Sequence, residues 1–196
     1  MTSLQTRVVN ILTKPAEEWR VIAGESDTVE GLLRNYAAPL AVIPAVGQFI
    51  GYTIVGVSVP LLGTFRYGIV RGFVSACLAF VFALVGAWIA AIVVDKLAPT
   101  FQSRGNTTQA LKLVVYAMTP VWVAGVLNLV PALAFLGIIA GLYAIYLFYL
   151  GLPVLMGTPA DKVIPYMVVS ALVIIVVSVV LGSIAAGIAG VGGAFR

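Results

Sequence analysis

The chain has 196 residues, of which 62% are hydrophobic and 9% charged, and its mean hydropathy is +1.13. A soluble domain carries about a quarter of its residues as charges, so this composition excludes one and calls for a polytopic membrane protein. The net charge of +4 and the pI near 9.4 fit basic loops on one side of a membrane, and with no basic cluster to follow phosphates, nucleic acid is excluded as a partner.

Residues 1–34 read as a cytoplasmic amphipathic N-terminal segment. Arg7, Lys14, Glu17, Glu18 and Arg20 interrupt any apolar run, so a signal peptide is not expected. Leu4, Val8, Ile11 and Leu12 share one face at helical spacing. Pro15 followed by Glu17 and Glu18 marks a second helix start, since proline suits the first helical position and acids complement the positive end of the dipole. Trp19 and Ile22 share a face, and tryptophan favours the headgroup level. Short amphipathic helices lying at the membrane interface follow, with Pro15, Glu18 and Trp19 as the candidate interfacial arm. Asp27 and Glu30 are the expected capping pair of the next helix.

Residues 35–196 then read as a five-span transmembrane domain, with spans at about 36–59, 71–95, 108–129, 131–152 and 163–189. Pro39 and Pro44 predict a kinked or broken start to the first span, and Gly47 and Gly51 form a GxxxG pair that needs a partner helix. In the second span Ser75, Ala79, Ala83, Ala87 and Ala91 recur every four residues, a ridge along which another helix can approach. Cys77 lies in the same apolar run and reads as a small packed hydrophobe. Pro99 to Asn106 forms an ordinary connecting loop.

From Leu113 to Ala160 no residue is charged, about twice the length that one helix needs to cross a hydrocarbon core. Asn128 and Pro131 divide this stretch into a tight hairpin of two spans. Pro120 loosens backbone carbonyls in the first of them, and Tyr143, Tyr146 and Tyr149 descend one side of the second. Thr119, Pro120, Asn128, Tyr143 and Tyr146 are the candidate intramembrane polar cluster, although belt or packing roles suit the tyrosines as well. In the last span Ser178, Gly182, Ala186, Gly190 and Ala194 repeat every four residues. Eight Lys and Arg residues fall on the N-terminal side and three on the other. The N-terminus is therefore expected in the cytoplasm and the C-terminus outside.

Histidine is absent, and no metalloprotease, hydrolase or P-loop pattern is present. No ionisable residue is expected deep in a span. The chain reads as a non-enzyme with no cofactor and no metal.

The segments Lys14-Pro15-Ala16-Glu17-Glu18-Trp19, Tyr36 to Leu40, Tyr116 to Pro120, Leu152 to Met156 and Thr158-Pro159 together resemble the Yip domain family, five-span proteins named for interaction with Ypt/Rab GTPases. The resemblance covers nearly the whole chain and points to its bacterial inner-membrane branch. It implies a cytoplasmic N-terminus and a C-terminus on the opposite side. The first-span motif of the eukaryotic relatives resembles Asp-Leu-x-Gly-Pro, where this chain has Asn35-Tyr36-Ala37-Ala38-Pro39. The acid and the glycine are missing, and GTPase binding is not carried over.

Two functional readings follow. The leading one is a scaffold that organises membrane lipids or recruits a protein partner or a second copy through its small-residue helix faces. The alternative is a small channel or transporter for an ion, lipid or small solute, with a path lined by Thr119, Asn128, Tyr143, Tyr146 and Ser170.

Overall fold

The computed structural model describes residues 3–59 and 63–191. Ser3 caps α1 (Leu4–Thr13), its hydroxyl accepting from the Thr6 amide at 3.2 Å. Pro15 opens α2 (Pro15–Gly24) with Glu17 and Glu18 in the first turn, as expected.

The first crossing segment is a continuous rod from Val29 to Val55. It comprises α3 (Val29–Leu32), a π-helical turn at Leu33–Ala37, α4 (Ala38–Ile50) and a second π-helical turn at Gly51–Val55. Pro39 has no N–H for the carbonyl four residues back. The π turn sits at this place, with the Ala38 amide reaching back five residues to the Leu33 carbonyl. Thr28 is the N-cap, accepting from the Gly31 amide at 3.0 Å. The expected Asp27–Glu30 capping pair does not form, because Asp27 lies 3.1 Å from the Lys112 ammonium instead. The rod also stops short of Val59. Gly56, at φ +88°, turns the chain out of the helix, and β1 (Val57–Val59) pairs antiparallel with β2 (Gly63–Phe65).

The second span, α5 (Ile69–Leu97), ends in a 3-10 turn at Ala98–Phe101. Asn106 caps α6 (Thr107–Ala117), which passes through a kink at Met118 into α7 (Thr119–Ala124) with Pro120 in its first turn. The hairpin that follows is not α-helical at its tip. Two 3-10 segments, Gly125–Leu129 and Pro131–Leu136, meet at the extended residue Val130 before α8 (Gly137–Met156). The chain closes with α9 (Val163–Val191). Among the described residues five helical segments are long and apolar enough to cross a membrane: Val29–Val55, Ile69–Phe101, Thr107–Leu129, Pro131–Met156 and Ala160–Ile184. The molecule is an all-α membrane bundle apart from the small hairpin.

The third span is its axis. Eight consecutive residues, Ala110 to Ala117, are buried, whereas α8 and α9 carry rows of exposed Ile, Leu and Val that face lipid. The expected ridge on α5 does pack: Ala87 and Ala91 are buried and Ala83 lies against the core. The ridge on α9 starts on an open face, with Ser178 and Gly182 exposed; the side chain of Ala186, the same face at Gly190, and Ala194 as a whole lie outside the described residues. Cys77 is exposed on α5, so it faces outward instead of packing inside.

The GxxxG pair of α4 has found its partner in the 3-10 segment after α7. A methyl group at Gly47 would fall 2.6 Å from the Gly125 carbonyl oxygen, and one at Gly125 would fall 2.5 Å from Pro44 Cβ. Backbones meet here because neither side has a Cβ between them. At the opposite end, the loops after α5 and α8 lock together. Arg104 donates its amide to the Met156 carbonyl at 2.8 Å, the Ser103 and Thr158 hydroxyls bond at 2.8 Å, and the Phe101 and Tyr166 rings stack at 4.8 Å.

Candidate functional site

The N-terminal helices form at the expected places, but their inner faces are covered by protein. Ile11, Trp19 and Ile22 are all 0% exposed. Trp19 therefore packs against protein instead of turning its ring outward. Its ring meets Tyr116 edge-on at 6.3 Å and rests on Gly151 of α8, where a methyl group would fall 2.9 Å from the indole. The reason is shape: glycine at 151 leaves a slot that the indole fills. The indole Nε1 is buried without a hydrogen-bond partner. Pro15 is half-buried at the start of α2.

Glu18 turns inward as well. It pairs with Arg7, which also pairs with Glu25, and both Arg7 and Glu18 are 5% exposed. Burial works to lower the Arg7 pKa. The hydrogen bond and charge of Glu25, with help from Tyr116 and Glu18, outweigh it, so the guanidinium is held above its ordinary range and stays charged. The Arg7 guanidinium also lies 5.7 Å from the centre of the Tyr116 ring.

Beside this pair stands Lys112 of α6, 0% exposed. Its ammonium donates to the Ile22 carbonyl at 3.0 Å and to the Glu25 carbonyl, and it pairs with Asp27. In the sequence this lysine counts only as one of the eight basic residues of the N-terminal side. Its partners lie 87 and 90 residues away along the chain, and only a lysine with no acid at helical spacing hinted at them.

The five residues of the candidate polar cluster fall in separate places. Thr119 is buried and bonds the Tyr36 hydroxyl at 2.7 Å, with Pro120 buried next to it. Asn128 packs against Gly47 and Gly51 at the far end of the bundle. Tyr143 donates to the Leu12 carbonyl of α1 at 2.7 Å, so its partner is the arm and not a carbonyl freed by Pro120. Tyr146 is 48% exposed, its ring 5.7 Å from that of Tyr143 on the lipid side. Ser170, from the expected path, is buried on α9 with no hydrogen-bond partner.

What the fold brings together instead is a cleft of about 650 Å³ between the arm, the 24–28 turn and the first span. Arg7, Glu25, Asp27, Asn35, Tyr36 and Tyr116 are among its walls, with Leu4 and Leu32 as apolar contributions. The Tyr36 and Tyr116 rings lie 4.5 Å apart. Among the described residues no group of three or more His, Cys, Asp or Glu side chains is placed to hold a metal ion. This is a polar pocket with a set of ion pairs behind it.

Comparison with known proteins adds the family. The model of the Yip1 domain matches residues 9–182, from within α1 to within the fifth span. The chain is 26% identical over 151 residues to the inner membrane protein YohC of Escherichia coli K12, covering 76% of this chain and 77% of that protein, and it matches YohC of Escherichia coli O6:H1 equally. No solved structure matches it significantly.

Proposed function

The chain belongs to the Yip1 domain family, and from that premise we propose that it is a non-enzymatic scaffold of the bacterial inner membrane. Its N-terminal arm lies on the cytoplasmic side and its C-terminus on the other. The assignment to the inner membrane draws on the relative YohC, which is named an inner membrane protein. The orientation draws on the excess of Lys and Arg at the arm end of the bundle.

The observation that supports a scaffold over a channel is the packed centre. The third span buries eight consecutive residues, and of the residues expected to line a path Thr119, Asn128 and Tyr143 are spent on local packing and hydrogen bonds, Tyr146 faces outward and Ser170 is buried apart on α9. Outward faces of α5 and α8 meanwhile offer room for another helix: methyl groups at Gly86, Gly137 and Gly141 would meet nothing within 4 Å.

The test is extraction of the full chain in mild detergent, followed by crosslinking and pull-down. A stoichiometric partner or a defined homo-oligomer is expected. A strict monomer with no partner, unchanged by deletion of the arm through Glu25, would overturn the scaffold. Ion or solute flux into proteoliposomes that falls in Pro120→Ala would establish the channel instead.

A further inference from the structure

The cleft beside the arm has an unbalanced charge. Two cations, Arg7 and Lys112, face three carboxylates, Glu18, Glu25 and Asp27, so the described cluster carries one surplus negative charge. Glu25 and Asp27 line the cleft, and each spends one carboxylate oxygen on its cation. The second oxygens have no partner among the described residues. Arg7 is already paired with two carboxylates, which leaves an incoming anion facing repulsion from Glu25 and Asp27.

A second observation is independent of charge. Tyr116 is 5% exposed and lines the cleft, and its hydroxyl, which bonds none of the described residues, opens to the cleft instead of being sealed in the core. A phenol at such an opening is available to bond what enters it. The Tyr36 and Tyr116 rings add aromatic surface, which attracts a cation, and Leu4 and Leu32 offer contact to short methylene groups. The volume of about 650 Å³ exceeds what a bare ion fills, and no metal-holding cluster is present among the described residues.

We propose that this cleft binds one primary ammonium group, as carried by the ethanolamine headgroup of a phospholipid or by a free organic amine. Its N–H bonds run to the Tyr116 hydroxyl and to the second carboxylate oxygens of Glu25 and Asp27, and its charge offsets the surplus. A primary ammonium donates three hydrogen bonds, whereas a quaternary ammonium of the same charge donates none. That difference separates this site from nonspecific cation attraction.

The experiment uses the full chain, delipidated in detergent and titrated with phosphatidylethanolamine, phosphatidylcholine or phosphatidylglycerol, with bound lipid counted by native mass spectrometry. One phosphatidylethanolamine is expected to bind about tenfold more tightly than phosphatidylcholine, the low end of what a single hydrogen bond to a charged group is worth. Tyr116→Phe, which keeps the ring and removes only the hydroxyl, is expected to remove most of that preference while leaving the thermal midpoint nearly unchanged. Glu30→Gln, on an exposed residue that does not line the cleft, is expected to bind as the wild type does. Free ethanolamine that competes fully assigns the site to soluble amines; ethanolamine that fails to compete assigns it to the lipid. Equal binding of the ethanolamine and choline lipids, a preference for phosphatidylglycerol, or an unchanged preference in Tyr116→Phe would overturn the proposal.

Discussion

The ammonium of Lys112 lies 3.0 Å from the carbonyl oxygen of Ile22, joining the axis of the bundle to the end of its N-terminal arm. The same ammonium takes the Glu25 carbonyl and the Asp27 carboxylate. The three contacts fall on the last turn of α2 and on the turn that follows it. Lys112→Met removes them together: the Glu25 carbonyl loses its donor at a cost of about 1–3 kcal/mol, while the Ile22 carbonyl keeps the Glu25 amide at 3.3 Å. The thermal midpoint in detergent is expected to fall, and protease cleavage within residues 22–28 to accelerate. An unchanged cleavage rate would show that the turn is held by other means.

Arg7 governs the other ion pairs of the set. Arg7→Ala strands Glu18 in a buried position without its cation, and removal of one partner from a buried pair costs about 3–5 kcal/mol. Undocking of α1 and α2 is the expected result, seen as a gain of hydrogen exchange confined to residues 4–24. The double variant Arg7→Met with Glu18→Gln is expected to recover much of the loss, because no charge is then left buried at that pair.

Steric prediction is sharpest at the glycines. At Gly51 a methyl group would collide with the backbone carbonyl of Asn128, whereas at Gly141 it would meet nothing within 4 Å. Gly51→Ala is expected to destabilise by about 3 kcal/mol, the upper end of the cost of overpacking. Gly141→Ala is expected to be neutral in the monomer. Thermal unfolding of the two variants side by side checks the pair.

The Tyr36–Thr119 hydrogen bond is buried and 83 residues long in sequence. Tyr36→Phe and Thr119→Val should each cost about 1 kcal/mol, and the double variant little more than either one, since both remove the same bond. Additive losses in a double-mutant cycle would mean that the two side chains act separately.

The five spans were legible because hydropathy and length are local properties of the chain. The arm helices were legible for the same reason: Pro15 and the acids behind it act within one turn. Where those helices dock was not. An indole at a membrane boundary has the same signature whether it meets headgroups or a glycine slot, and Gly151 lies on a helix four spans later. The partners of Lys112 were hidden by a related ambiguity, since a basic residue near a span mouth is counted as topology until its contacts are seen. The hairpin tip was blurred because 3-10 and α geometry make similar demands on an apolar sequence. Of the candidate residues, Thr119 and Tyr143 bond partners in the first span and the arm, far from them in sequence.

The separation between the arm and its berth sets an order of assembly. Residues 4–24 leave the ribosome first, while their anchors arrive late: Lys112 stands 90 residues after Ile22, and Tyr143 stands 131 residues after Leu12. Throughout insertion of the first three spans the arm has no finished surface to close on, and its apolar side must wait in lipid or on a chaperone. Docking is therefore a post-insertion event, and a chain truncated before α8 would display an arm that the complete protein keeps folded away.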